Sequence, residues 1–102
     1  MKWEKITEYT HPEYFSGIYK ITSYRWHNNG PVKQYYQAYY IPDGYKHWGN
    51  YVDRSQQYDK MLTLKQCKAL CEAHAQEHTP SKATITQAEK AKNTYYPKET
   101  AA

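Results

Sequence analysis

Cys67, Cys71, His74 and His78 follow one another as C-x3-C-x2-H-x3-H. Thiolate and imidazole are ligands that zinc favours, and residues four apart on a helix can share an ion. A single helix, however, spreads these four side chains along a stripe too long to wrap one tetrahedral ion. Zinc usually takes two ligands from one element and two from another, and nothing in the sequence brings His27 or His47 to this stripe. The pattern reads as a buried run of small residues that ends in solvent-facing histidines, with no metal and no other cofactor. Nucleophilic catalysis needs a nucleophile, a base and an orienting group together. Cys and His on one apolar helix face look like packing, and a thiol in apolar surroundings has a raised pKa and little reactivity. No pair of carboxylates sits in a recognisable motif. The four glycines look like turns or bulges, not a phosphate cradle. The expectation is a protein without catalytic activity.

Tyrosine is the residue type that stands out, at 13 of 102, against one Phe and three Trp. A core built from Tyr needs partners for its hydroxyls, so many rings must lie at the core's edge or on the surface. Open tyrosine rings have two uses. They can stack the bases of a single-stranded nucleic acid while lysines and arginines hold the phosphates. They can also serve as rigid anchors at a protein interface. A third reading is that the rings cover one another across a hairpin. The candidate partner-binding set is Lys20, Tyr24, Arg25, Lys33, Tyr35, Gln37, Tyr39 and Tyr51.

The element that must support these residues is Thr63–His78. Thr63 and Gln66 form a capping-box pair, and Leu64, Cys67, Leu70, Cys71 and His74 recur at helical spacing. Pro80 discourages continuation. Gly17–Arg25 and Val32–Ile41 read as strands joined by a tight turn at Asn28-Asn29-Gly30-Pro31. Pro42-Asp43-Gly44 is a second turn, and His47–Val52 a third strand. Met1–Thr10 leans to a short strand ended by His11-Pro12, and Glu13–Ser16 reads as a connecting segment. Thr86 and Glu89 suggest a cap for a short, weakly apolar C-terminal helix, with a frayed tail beyond.

The fold expected is α+β: an antiparallel meander of three to four strands, covered on one face by one long helix, with a short C-terminal helix or tail. Residues 1–80 form the domain, and 81–102 an extension. Small Ala38 marks the face that the helix approaches. That places Tyr19, Ile21, Tyr36, Tyr40, Trp48, Val52, Leu64, Cys67, Leu70 and Cys71 in the core. Lys20, Tyr24, Tyr35, Gln37, Tyr39 and Tyr51 would then line the open face. A slip of one residue would exchange the two sets.

Charge orders the binding readings. The formal net charge is +4 and the pI about 9.0. Residues 1–60 hold eight basic and six acidic side chains, and 61–102 hold six and four, so each part is only +2. Without a basic cluster few counterions are released on nucleic acid, and affinity for it should be modest. A protein partner ranks first and a nucleic acid second. No apolar run approaches the length of a membrane span, and no secretory signal is read, so a cytoplasmic protein with reduced cysteines is expected.

The run GIYKI…YYQAYYIP…HWGNYV…MLTLKQCKALCEAH resembles a layout common among small phage and prophage proteins. In that layout a Tyr/Trp-rich hairpin sheet precedes a helix of the form T-L-x-x-[AC]-K-x-x-C-x-x-H. The likeness covers Gly17 to His78. In outline it is also similar to the three-strand-plus-helix DNA-binding domains at the N-termini of phage integrases, whose sheet enters the major groove. The resemblance implies a mobile-element origin. It also implies a protein that binds and blocks a host protein, such as a component of a defence system, in the bacterial cytoplasm.

Overall fold

The computed structural model describes residues 1–6, 12–26, 30, 33–53 and 61–95. Five strands, β1 (Glu4–Ile6), β2 (Glu13–Ser16), β3 (Tyr19–Trp26), β4 (Lys33–Tyr40) and β5 (Asn50–Tyr51), precede two helices, α1 (Leu64–Glu77) and α2 (Lys82–Tyr95). The strands lie in sequence order, each antiparallel to its neighbours, as a meander. The expected α+β meander is therefore present, with five strands and a second helix as long as the first. The added strand is β2, in the segment read as a connection. Gly17, at φ +56°, starts the two-residue β2–β3 turn, not the third strand. The turn expected at Asn28–Pro31 falls, apart from Gly30, outside the described residues, as do residues 54–60 and 96–102 and, in the expected first strand and its break, residues 7–11.

Two rows of facing residues define the sheet's surfaces. One row runs Lys5, Tyr14, Ile21, Ala38; the next runs Glu4, Phe15, Lys20, Tyr39, Tyr51. Neighbouring rows point to opposite sides of the pleat. Helix α1 covers the first side. Its Cys67 and Cys71 are fully buried, and Ile21 and Ala38 beneath are equally closed. Both capping-box bonds are present: Gln66 N–H donates to Thr63 Oγ1 at 3.1 Å, and Thr63 N–H donates to Gln66 Oε1 at 2.9 Å. Just before α1, Tyr36 N–H donates to the Leu62 carbonyl at 2.9 Å, which pins the entry to the β4 edge.

Helix α2 lies against the other side, at its β1–β2 end. Ala88 and Ala91 are buried in the same core as Phe15 and Trp48. Lys92 reaches Glu4 at 2.8 Å and Glu89 at 3.4 Å. Trp3, Phe15, Ala88 and Lys92 line a cleft of about 350 Å³ between the helix and the sheet. Alanine at these positions lets the helix axis come close. Trp48 belongs to this side, not to the α1 side where its alternation with Val52 placed it. Its ring meets Phe15 at 5.3 Å, and its indole N–H donates to the Ile18 carbonyl at 3.1 Å. The same carbonyl accepts Ile41 N–H at 3.1 Å. The turn residue Ile18, 1% exposed, thus ties the β2–β3 turn to the chain leaving β4.

The cap of α2 is Ser81, not Thr86. Thr84 N–H donates to Ser81 Oγ at 3.2 Å. Asp43, in the β4–β5 connection, accepts from Ser81 N–H at 3.4 Å, from Ser81 Oγ–H at 3.2 Å and from the Thr84 hydroxyl. These bonds, the Thr84 hydroxyl first, hold the Asp43 carboxyl below its ordinary pKa. Because the folded value is depressed, the stabilisation is present above the unfolded value near 3.8 and fades as pH falls through the lower folded value. Asp43→Asn should therefore lower stability at neutral pH and flatten the acid limb of a stability-against-pH curve below about pH 4, read by urea denaturation.

Candidate functional site

The tyrosine surface sits on the second side, beyond the region that α2 covers. The alternation of β3 and β4 sets Lys20 opposite Tyr39, Thr22 opposite Gln37 and Tyr24 opposite Tyr35, while Tyr51 of β5 faces Tyr39. The structure thus brings Lys20, Tyr24, Tyr35, Gln37, Tyr39 and Tyr51 onto one face. All six are half-buried. Arg25 does not join them. It pairs with Gln34, falls in register on the α1 side and is exposed there. Lys33 pairs with Trp26 at the far end of the ladder, and its side chain is outside the described set.

The rings are held by one another. Tyr24 and Tyr35 stack with centroids 5.3 Å apart and planes 18° from parallel. Tyr39 and Tyr51 meet at 5.0 Å. Tyr39 hydroxyl donates to Gln37 Oε1 at 2.6 Å. Its proton is thereby committed, so the 2.9 Å contact between Tyr24 and Tyr39 hydroxyls has Tyr24 as donor. The relay runs Tyr24 to Tyr39 to Gln37. Burial first, and the hydrogen bond with Tyr24 second, push the Tyr39 phenol far above its ordinary pKa, so it stays a neutral donor.

Lys20 is drawn inward. Its ammonium is 3.6 Å from Glu13 and lies 5.4 Å from the centre of the Tyr39 ring and 5.5 Å from that of Trp48. Thr22 Oγ1–H also donates to Glu13, at 3.3 Å. Glu13 and Thr22 therefore support the face, although neither was among the expected site residues. The signal for Thr22 is its parity with Lys20 and Tyr24. Glu13 gave none, since β2 was not legible as a strand.

The Cys/His stripe divides at the rim of α1. Burial pushes the Cys67 and Cys71 thiols up to about 12, which leaves them protonated and unreactive at neutral pH. Farther along, His74 Nδ1 is 2.7 Å from the Tyr19 hydroxyl, and Tyr40 packs on His74 at 4.5 Å. Burial, then the neighbouring His78, lower the His74 pKa. Burial raises that of Tyr19 to about 12. Among the described residues no group of three or more His, Cys, Asp or Glu is placed to hold a metal ion. No described helix is long and apolar enough to cross a membrane.

No family model, no curated protein and no solved structure matches this chain.

The hydroxyl relay gives the face a measurable signature. Tyr39→Phe leaves Gln37 Oε1 without its donor and Tyr24 without its acceptor, at a cost of roughly 1–2 kcal/mol. Tyr51→Phe keeps the ring pair, loses only its own hydrogen bond to the Tyr39 hydroxyl, and should cost less. Urea midpoints at constant slope, measured on both variants, check the order.

Proposed function

We propose that this chain is a non-catalytic binding protein whose tyrosine face on β3, β4 and β5 docks a partner protein. The observation that carries the reading is the mutual fixing of the four rings by two ring pairs and the hydroxyl relay. A surface whose aromatic side chains are already ordered loses little side-chain entropy on association. Large amphipathic rings of this kind are favoured anchors at the centre of protein interfaces. The face suits a nucleic acid less well. Its rings stack on each other instead of standing open for bases, Lys20 leans on Glu13, and Arg25 lies on the opposite side. The resemblance to phage accessory proteins supports a host protein as the target and its inhibition, in the bacterial cytoplasm, as the outcome.

Tyr35→Ser and Tyr51→Ser remove one ring from each pair and keep all three members of the Tyr24–Tyr39–Gln37 relay, the second variant also losing Tyr51's own bond to Tyr39. Each should weaken a complex isolated from bacterial lysate at moderate salt by at least about tenfold, the scale of an interface hot spot. Arg25→Ala, on the other side, should leave the complex unchanged. Circular dichroism confirms that the variants fold. A single-stranded oligonucleotide that binds the chain, lets go steeply with added salt and is lost in the same two variants would transfer the face to nucleic acid. Unaltered binding in both tyrosine variants would remove it as a docking surface.

A further inference from the structure

The C-terminal end of α1 carries two imidazoles, one of which, His74, meets the core through only one of its nitrogens. His74 and His78 stand four residues apart, with ring centres 5.3 Å apart. Metal–nitrogen bonds of about 2.0–2.1 Å and a tetrahedral angle at the ion put the centres of two imidazoles that share it about 5 Å apart. The observed spacing already meets this requirement. On His74 the Tyr19 hydroxyl occupies Nδ1 at 2.7 Å, which leaves Nε2 as the nitrogen for an ion. Imidazole ligands are characteristically oriented by such a bond on the other ring nitrogen. His78 Nε2 is closed to solvent and has no hydrogen-bond partner among the described residues. A buried nitrogen left so is costly, and an ion is one of the recognised ways in which such a group is satisfied.

Two carboxylates face the pair, although burial and the neighbouring imidazole still hold His74 below its ordinary pKa. Glu77 on α1 interacts electrostatically with His74, and Asp43 of the β4–β5 connection with His78. The C-terminal end of the helix dipole lies at the same place. Tyr40 packs against both rings, at 4.5 Å from His74 and 6.4 Å from His78. It forms the apolar floor of the site.

The geometry points to a two-histidine site for a divalent transition ion at the C-terminal end of α1, with His74 and His78 as protein ligands and water completing the shell. Its ligand class is the borderline ions that imidazole suits, Zn²⁺, Cu²⁺ and Ni²⁺. Binding there requires the His78 ring to turn its sealed nitrogen to the shared position. With two protein ligands the site binds modestly, and the ion would brace the end of α1 where the backbone leaves the helix at His78, φ −134°.

Calorimetric titration of the full chain with Zn²⁺ and with Ni²⁺ at neutral pH tests this. One saturable equivalent is expected, at least tenfold weaker in His78→Gln and unchanged in His47→Gln, whose residue is exposed in the connection before β5. Substoichiometric Cu²⁺ on the unaltered chain provides a second reading. Its paramagnetic broadening should centre on the amides of residues 74–78 and on Tyr40. The absence of saturable binding, equal affinity in His78→Gln, or broadening centred elsewhere would overturn the site.

Discussion

A phenol ring can be buried for its apolar area only if its hydroxyl finds a partner on the way in. With 13 tyrosines and a single phenylalanine, this chain meets that condition repeatedly, and the sheet is arranged around the solutions. Tyr19, 3% exposed, sends its hydroxyl to His74 at the edge of α1. Tyr39 passes the requirement along its own face, to Gln37 on one side and Tyr24 on the other. In each case the ring fills space near the middle of the sheet and the oxygen is led towards the periphery. Phenylalanines could pack as well but would not set the direction in which each ring leans.

The same condition explains why small residues occupy the closest approaches. Ala38 lies under α1, and Ala88 and Ala91 line α2. Neither helix could settle over a tyrosine-covered sheet if its own contact stripe were bulky. Cysteine serves this purpose in α1, where Cys67 and Cys71 pack as small apolar groups. The larger aliphatic volume comes from Ile18, Ile21 and Ile41, all closed, at the turn and strand positions nearest the sheet's centre.

Much of this was legible in the chain itself, and the parts that were not share a cause. Helix α1 carried a complete end signal and a regular stripe, while β3 and β4 carried long alternation rich in β-branched and aromatic residues. The parity of β3 and β4 sorted Lys20, Tyr24, Tyr35, Gln37 and Tyr39 onto one face correctly, and the alternation of His47–Val52 added Tyr51. Arg25 has the parity of Tyr19 and Ile21, so its inclusion rested on charge and went against the strand's own period. Trp48 was misplaced because parity loses meaning once the backbone leaves a ladder, and β5 holds only Asn50 and Tyr51. Glu13–Ser16 is too short, and too close to Pro12, for local preference to mark it; Tyr14 and Phe15 become strand residues because β1 and β3 flank them. The extent of α2 was hidden for a related reason. Its weak apolar stripe is made of alanines, whose value depends on a sheet that local sequence cannot display.

The order of the strands bears on how the molecule assembles. Every pairing of the five strands joins neighbours along the chain, and local pairing of this kind keeps contact order low, which favours rapid folding. Helix α2 reaches back much farther, over 38 and 41 residues to Asp43 and 88 residues to Glu4. These closures carry the largest cost in chain entropy. Each of them ties the C-terminal helix to a part of the chain that the sheet's own turns leave apart.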